Sequence, residues 1–286
     1  MEEIRYHKIN TFNLYRFDKK IDKCIVCGSK FLRNWCTVRA INIVKCNTCD
    51  VRFANPPVSD ISLAALYEPG LLRWSSVEEY KKLRREYFLF YKRILEEFNF
   101  PFKRVLDFGC GIGYFLKIMN RFGWEGSGVD ISLTDVIMAK NSGIEALHLS
   151  DIDELKNNYF SVCTMLDFIE HVKDPLFYFE TAFRKLASGG ILLIDTGDVG
   201  GIASLIGKSR NPFVQNEGHI TFFTRKSINF ILKKSGFNLL KILDERIVKK
   251  SYNNTSLHKI KLSSLKEKVS QFLISRPNMI ILAIKP

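Results

Sequence analysis

The stretch RVLDFGCGIGYFLKIMNRFGWEGSGVDIS, residues 104–132, decides the fold of this chain. Its apolar start, Lys103–Phe108, predicts a strand that runs into a turn with three alternating glycines. An amphipathic helical pattern follows, and Gly126–Ser132 predicts a second strand that carries an acid, Asp130. Strand, glycine-rich turn, helix, strand and acid form the βαβ arrangement that binds a nucleotide at the carboxyl ends of its strands.

The acid that precedes the glycines separates two classes of nucleotide cofactor. The turn reads Gly109-x-Gly111-x-Gly113, and Asp107 stands just before it, inside the strand end. A carboxylate there would repel the pyrophosphate of NAD, whereas it would attract a cofactor that carries sulfonium and ammonium groups. Asp130, 19 residues after Gly111, suits the two ribose hydroxyls. The pattern therefore favours S-adenosylmethionine over NAD.

These residues, together with later segments in the same order, resemble the class I S-adenosylmethionine-dependent methyltransferases. The later segments are His148–Leu155, Ser161–Pro175, Phe183–Asp198, Ile228–Phe237 and Asn278–Pro286. The resemblance covers about residues 105–286. It implies an α/β fold, in which a Rossmann-like, seven-stranded, mostly parallel sheet carries helices on both faces.

The same resemblance implies which residues surround S-adenosylmethionine. They are Asp107, Gly109, Cys110, Gly111, Gly113, Asp130, Ile131, Asp151, Ile152 and Leu166. In this set Asp107 would contact the methionyl amine, Asp130 the ribose and Asp151 the adenine amine. Ile131 and Ile152 would pack on the adenine ring.

Four cysteines near the N-terminus have the spacing of a metal site. They read Cys24-x2-Cys27-x18-Cys46-x2-Cys49, and two such knuckles supply the tetrahedral thiolate shell that zinc prefers. Disulfides are not expected, because no secretory signal precedes them. Gly28 suits the positive φ of a knuckle, and the segment between the pairs predicts a hairpin. We therefore expect a small zinc ribbon whose metal is structural.

The chain divides into three predicted parts. A zinc-ribbon module covers 1–60, a linker and connecting helix cover 61–100, and the methyltransferase domain covers 101–286. Within that domain we expect a substrate-covering loop at about 197–219 and a basic insertion at about 250–277. No apolar run approaches the roughly 18 residues that span a bilayer, and the N-terminus is too polar for a signal peptide. A cytoplasmic location is therefore expected.

Two histidines are candidates for a catalytic base, which an oxygen or carbon acceptor requires. His171 follows the fourth predicted strand, and His219 follows the long glycine-rich stretch after the fifth. Alternatively, His171 only shapes its turn and His219 only packs beneath the loop. Asp167-x2-Glu170-His171 is also similar to the E-x2-E-H divalent-metal cluster of the ubiquinone-pathway catechol O-methyltransferases, although Asp has a shorter reach than Glu.

The charge distribution bears on the acceptor. The net charge is +13, and the basic excess flanks an acidic middle segment. The basic stretch Ser256–Arg276 fits a cap over the sheet, contact with an anionic membrane near a lipid-linked substrate, or contact with a phosphate-bearing acceptor. The leading prediction is methylation, on oxygen or carbon, of a small-molecule or sugar/glycan acceptor. The alternatives are an RNA methyltransferase and a non-catalytic S-adenosylmethionine-binding scaffold.

Overall fold

The computed structural model describes most of the chain. The described residues are 16–67, 76–201, 204, 207–216, 218–244 and 278–286. The predicted basic insertion at about 250–277 lies outside them, as do parts of the loop at about 197–219. None of the described helices combines the length and the apolar character needed to cross a membrane.

Strands and helices are numbered here in chain order. The strands are β1 (Leu32–Val38), β2 (Ile41–Cys46), β3 (Arg52–Ala54), β4 (Arg104–Phe108), β5 (Glu125–Asp130), β6 (Glu145–His148), β7 (Phe160–Leu166), β8 (Leu186–Gly197), β9 (Thr221–Phe222), β10 (Asn238–Asp244) and β11 (Asn278–Ile284). The helices are α1 (Asp60–Tyr67), α2 (Val77–Leu95), α3 (Tyr114–Arg121), α4 (Leu133–Asn141), α5 (Pro175–Lys185), α6 (Pro212–Gln215) and α7 (Arg225–Lys234).

The larger sheet has seven strands in the order β10-β11-β8-β7-β4-β5-β6. Strands β8, β7, β4, β5 and β6 are parallel, and β11 runs antiparallel to both of its neighbours. The chain reverses direction across the sheet at β4, because β5 lies on one side of it and β7 on the other. Open α/β sheets bind their ligands at such a switch point, outside the carboxyl ends of the strands.

Helices cover both faces of this sheet, as predicted. Along β4, Leu106 and Phe108 point into one hydrophobic cluster, which includes residues of α5 and α7. Val105 belongs to a second cluster, with residues of α2, α3 and α4. Adjacent side chains of a strand point to opposite faces, so both faces of β4 are buried. The predicted α/β, Rossmann-like fold is confirmed.

The smaller sheet has four strands in the order β1-β2-β3-β9. The first three belong to the N-terminal segment, and β1 and β2 form the hairpin predicted between the cysteine pairs. β9 comes from far along the chain and pairs antiparallel with β3, where Phe53 faces Thr221. The cysteine-bearing segment and the later part of the chain therefore build one sheet together.

Helix α7 contacts the cysteine-bearing segment at both of its ends. At the N-terminus, Thr224 caps the helix and its hydroxyl donates a hydrogen bond of 2.9 Å to Asp50. At the C-terminus, the Lys234 ammonium donates to the carbonyl of Val26 at 2.7 Å. Buried side chains of both partners share one hydrophobic cluster. The predicted boundaries at 60 and 100 remain predictions, but the parts on either side pack closely together.

Candidate functional site

The turn between β4 and α3 has the glycine conformations that its sequence predicts. Gly109, Gly111 and Gly113 all have positive φ, between 52° and 74°. The amides of Gly109 and Cys110 both donate to the carbonyl of Val129 on β5. A Cβ on Gly111 would meet nothing within 4 Å, whereas one on Gly109 would lie 2.7 Å from a ring carbon of Phe168. The main chain at Gly111 thus faces open space beside the sheet.

Asp130 stands at the end of β5, on the far side of that turn. One carboxylate oxygen accepts from the amide of Gly111 at 2.7 Å, and the other accepts from the amide of Ser132 at 2.9 Å. Burial raises the pKa of Asp130, although these amide hydrogen bonds oppose the rise. Each oxygen of a carboxylate can accept more than one hydrogen bond. The side chain is therefore held in place with capacity left for ligand hydroxyls.

Asp107 is buried within β4 and contacts the next strand. The hydroxyl of Thr164 on β7 donates to its carboxylate at 2.6 Å. Burial raises the pKa of Asp107 to about 7, and the nearby Asp130 adds to that effect. A carboxyl group that titrates near neutrality is poised to ionise when a cation arrives.

The other predicted cofactor residues fall into two groups. Ile131 lines the cavity described below, together with Gly109 and Asp130. Cys110 packs against β5, and Gly113 packs against the chain around α4. Ile152 is buried in a hydrophobic cluster, and Asp151 accepts a hydrogen bond from the hydroxyl of Ser150. Leu166, at the end of β7, is half-buried against the second cluster. The assignment of these residues to the cofactor remains a prediction.

A cavity of about 320 Å³ opens at the carboxyl ends of the strands. Its lining combines the residues near the glycine turn with α1 and with the start of α5. These residues are Asp60, Leu63, Tyr67, Gly109, Asp130, Ile131, Leu149, Asp167, Phe168, His171, Val172, Lys173, Asp174, Phe177 and Tyr178. The four carboxylates attract a cationic ligand, and the aromatic rings suit a planar apolar one. The volume lies at the lower end of the range for small-molecule sites.

His171 lies in this cavity, in contact with α1. Its Nδ1 atom is 2.6 Å from the Tyr67 hydroxyl and 3.1 Å from the Gly218 carbonyl oxygen. The hydroxyl of Tyr67 also donates to the Gly218 carbonyl at 3.2 Å. These contacts at Nδ1 orient the ring of His171. One of them comes from Tyr67 on α1, which is 104 positions away in sequence.

His219 is buried, with both ring nitrogens hydrogen-bonded inside its own loop. Nδ1 lies 2.8 Å from the carbonyl oxygen of Phe213, and Nε2 lies 2.9 Å from the side-chain nitrogen of Asn216. A carbonyl only accepts and an amide nitrogen only donates, so these two contacts fit a neutral ring with its proton on Nδ1. Its ring packs edge-on against His171, with centroids 4.7 Å apart. In this arrangement His219 supports the loop and His171.

The structure groups the predicted divalent-metal residues differently from the sequence. The carboxylate of Asp167 pairs with the guanidinium of Arg84 on α2. Ligand atoms of Glu170, His171 and His219 instead lie within 4.8 Å of one another. Burial raises the pKa of Glu170 well above its ordinary value, and the nearby Asp167 adds to the rise. Because of this raised pKa, a metal would more often have to displace a proton from Glu170 than from an ordinary carboxyl group. Asp167 is thus replaced by His219 in this group.

The four predicted zinc ligands do converge. Sulfur atoms of Cys24, Cys27, Cys46 and Cys49 all lie within 4.8 Å of one another, and two of the pairs are 3.5 Å apart. A tetrahedral site with Zn–S bonds of about 2.3 Å separates its sulfurs by about 3.8 Å. Gly28 has the positive φ expected of its knuckle, at 73°. The donor set and its spacing fit a zinc ion.

Three residues that contact Asp107, His171 and Asp167 were not predicted from the sequence. Thr164 holds Asp107, Tyr67 contacts His171, and Arg84 pairs with Asp167. Thr164 and Tyr67 sit in ordinary strand and helix patterns, so no local signal marks them. Arg84 lies on the predicted connecting helix, to which the sequence analysis assigned no functional residue.

Comparisons with known proteins agree with this arrangement. Residues 80–242 match the protein family described as a methyltransferase domain. The chain is 30% identical over 146 residues to a ubiquinone biosynthesis O-methyltransferase of Psychrobacter cryohalolentis, which covers 47% of this chain and 56% of that protein. A protein of the same name from Hahella chejuensis is 29% identical over 151 residues, 49% of this chain and 63% of that protein. The chain thus spans little more than half the length of these relatives.

A solved structure matches at the level of the fold. It is that of an S-adenosylmethionine-dependent methyltransferase from Thermotoga maritima, with a TM-score of 0.53 and 18% sequence identity. The match covers 78% of this chain and 100% of that one. It supports the Rossmann-like α/β fold.

Proposed function

This chain belongs to the class I S-adenosylmethionine-dependent methyltransferases, and we propose that it moves a methyl group from S-adenosylmethionine to a hydroxyl of a small molecule. The observation that carries the proposal is the pair of acids around the glycine turn. Asp107 is buried with its pKa raised to about 7, and Asp130 is fixed by the amides of Gly111 and Ser132. A cationic amine and a ribose diol are the ligands that such a pair suits.

Cofactor binding follows from these positions. Asp130 accepts hydrogen bonds from the ribose hydroxyls, and the main chain at Gly111 lies along the methionine arm. Asp107 ionises as the ammonium group approaches, directly or through water. Ile131 and Leu149, which line the cavity, form the apolar surface for adenine, with Asp151 and Ile152 as further predicted contacts.

The chemical step is an in-line displacement. His171 takes the proton of the acceptor hydroxyl, and the oxygen attacks the methyl carbon of the sulfonium. Bound S-adenosylmethionine would supply the methyl group, the electron pair of its carbon–sulfur bond would stay on sulfur, and S-adenosylhomocysteine and the methyl ether would be the products. A proton on Nδ1 of His171, held by the Gly218 carbonyl at 3.1 Å, leaves Nε2 as the basic atom. Alignment of the three reacting atoms provides much of the acceleration.

The acceptor class rests on the relatives and on the cavity. Two relatives are named ubiquinone biosynthesis O-methyltransferases, which favours an oxygen acceptor. Phe168, Phe177 and Tyr178 give the cavity aromatic walls that suit a ring-bearing hydroxyl compound. Acceptors such as a sugar, a lipid-linked compound or RNA remain predictions from the sequence alone.

We also propose that the four cysteines bind zinc. Four thiolates complete its coordination, so the ion would stabilise the fold and would have no open position for catalysis. The shared sheet and the contacts of α7 extend that stabilisation to the methyltransferase part.

The cofactor assignment is tested by calorimetry. We expect Asp130→Asn to weaken S-adenosylmethionine binding about 10–100-fold, because charged hydrogen bonds to the ribose become neutral ones. Asp153→Asn, on the exposed turn after β6, is the matched control and should leave the affinity unchanged. Equal affinities for Asp130→Asn and the wild type would contradict the proposal.

The reaction is tested with a cell extract and methyl-labelled S-adenosylmethionine, followed by separation into small molecules, glycans and lipids, protein and RNA. Label in a base-stable small-molecule ether supports the proposal. Label in RNA or protein refutes the acceptor class. Binding of the cofactor without any transfer would indicate a scaffold instead of an enzyme.

A further inference from the structure

Three cations lie side by side across the small sheet. Arg33 on β1 faces Lys45 on β2, and Lys45 in turn faces Arg52 on β3. Like charges directly opposite each other on neighbouring strands are destabilising. A row of three therefore needs a compensating anion, either from the protein or from a ligand.

The row borders a cavity of about 200 Å³ that is separate from the one beside His171. Its lining consists of Arg33, Asn34, Trp35, Lys45, Arg52 and Lys208. Arg33, Asn34 and Lys208 are exposed, so the cavity is open to solvent, while Arg52 is only 1% exposed. Lys208 belongs to the segment after β8, so the cavity lies where that segment meets the ribbon. Among the described residues, the lining contains four cations and no acid.

Arg52 is the unusual member of this group. Among the described residues, its Nε and Nη1 atoms have no hydrogen-bond partner. The guanidinium lies over the Trp35 ring, 4.7 Å from its centroid, which orients it without using its donors. A buried guanidinium with unused donors is costly, since arginine does not lose its charge.

Two acids lie near Arg52, and each of them also has other partners. The closest, Asp50, is 4.0 Å from Nη2 of Arg52, but it pairs with Lys45 and accepts from Thr224. Asp198 pairs with Arg225 and accepts from the amide of Gly200. The protein thus offsets the buried charge only in part.

We propose that this cavity binds the phosphate group of a phosphomonoester or diphosphate, with Arg52 donating from its buried guanidinium and Arg33 and Lys208 closing over the exposed side. A phosphate accepts several hydrogen bonds at once and carries the charge that the row lacks. Trp35 holds the guanidinium at the floor of the site. The site is distinct from the proposed methyl-transfer site and does not depend on it.

The direct test is calorimetry of the purified 286-residue chain with inorganic phosphate and pyrophosphate. We expect the wild type to bind pyrophosphate and to gain thermal stability with it. Arg52→Met and Lys208→Gln should each weaken binding about 10–100-fold. Lys30→Gln changes the same charge on an exposed residue of the ribbon outside the cavity, and it should bind like the wild type.

A second readout separates binding from a structural role of Arg52. Without anion, Arg52→Met should melt at or above the wild-type temperature, because a buried charge that the protein offsets only in part is removed. If Arg52 were a structural residue, this variant would melt lower whether or not anion is present. Lys208→Gln keeps the test valid if Arg52→Met does not fold, since Lys208 is exposed. Unchanged affinity for S-adenosylmethionine in each variant shows that the methyl-transfer site is intact.

An additional experiment with lipid vesicles distinguishes a phosphate group on a lipid from one on a soluble compound. Sedimentation with phosphatidic acid vesicles, against phosphatidylcholine vesicles, tests a lipid phosphate, and pyrophosphate tests a soluble one. Dependence on Arg52 and Lys208 in either arm supports the site. Failure to bind either probe at millimolar concentration overturns it, as does binding that both substitutions leave unchanged. Retention on RNA that pyrophosphate does not displace also counts against it.

Discussion

The hydroxyl of Thr224 donates a 2.9 Å hydrogen bond to the carboxylate of Asp50. Asp50 directly follows the second cysteine pair, and Thr224 is the N-cap of α7. Burial opposes ionisation of Asp50, but the hydrogen bonds from Lys45 and Thr224 and the nearby Arg52 keep its pKa below its ordinary value. The cysteine knuckle is thus joined by a direct hydrogen bond to a helix that packs against the seven-stranded sheet.

This link predicts that loss of the metal destabilises the whole chain. Cys46→Ser should abolish zinc binding and lower the free energy of unfolding by several kcal/mol. Elemental analysis and thermal unfolding of the purified protein measure the two effects. Cys36→Ser, at a half-buried position outside the four-thiol cluster, should retain the zinc. A Cys46→Ser protein with wild-type zinc content would disprove the proposed site.

The raised pKa of Asp107 predicts that cofactor affinity depends on pH. In the free protein the group titrates at about 7, and the bound ammonium favours its ionised form. Affinity at pH 6 should therefore be about tenfold below its maximum. Above about pH 8 the affinity should fall again, as the amine of the cofactor loses its proton. Calorimetry across this range measures the profile.

Asp107→Asn provides the control for that profile. It should bind more weakly near neutrality and should lose the acidic limb. The stability of the cofactor-free wild type should change with pH in the opposite direction to its cofactor affinity. Because the pKa of Asp107 is raised from 3.8 to about 7 in the folded protein, the stabilisation that its protonated form provides at low pH is lost as pH rises through that interval. An unaltered acidic limb in Asp107→Asn would assign the titration to another group.

Two glycines of the turn predict different outcomes for the same substitution. Both have positive φ, so both variants share a modest backbone strain. In Gly111→Ala the new methyl group enters open space, where we place the cofactor, so affinity should fall at least about tenfold and the melting temperature should fall only by the effect of the backbone strain. In Gly109→Ala the methyl group would meet Phe168, so the melting temperature should fall further than in Gly111→Ala. Equal cofactor affinity in Gly111→Ala and the wild type would place the methionine arm elsewhere.

His171 is predicted to act in the chemical step. His171→Ala should reduce turnover of the acceptor by about 10²–10⁴-fold, with cofactor affinity unchanged. Tyr67→Phe removes one contact of the ring and should reduce turnover by about tenfold or less. His219→Ala should act mainly through the stability of its loop, because both of its ring nitrogens are bonded there. If neither histidine substitution alters turnover, the acceptor is activated by another group.

The sequence was informative where the determinants are local. The glycine turn, the acid after β5 and the cysteine knuckles are each specified by a few consecutive residues with restricted conformations, and the structure has them as predicted. The seven-stranded, mostly parallel sheet was also predicted, because the succession of patterns resembles a known family.

The contacts that could not be predicted join residues far apart in sequence. Tyr67 meets His171, and Arg84 takes Asp167 out of the expected metal group. Arg33, Lys45 and Arg52 become neighbours only through the strand register. Such pairs depend on how helices and strands pack in three dimensions. The spacing of residues along the chain contains no information about that packing.

The strand β9 has a practical consequence. The family match begins at residue 80, and the sheet that completes β9 begins at residue 32. A shortened protein that starts at the family boundary would leave the backbone groups of β9 that pair with β3 without partners, which invites aggregation. Expression trials should therefore keep the N-terminal sixty residues, even when only methyl transfer is of interest.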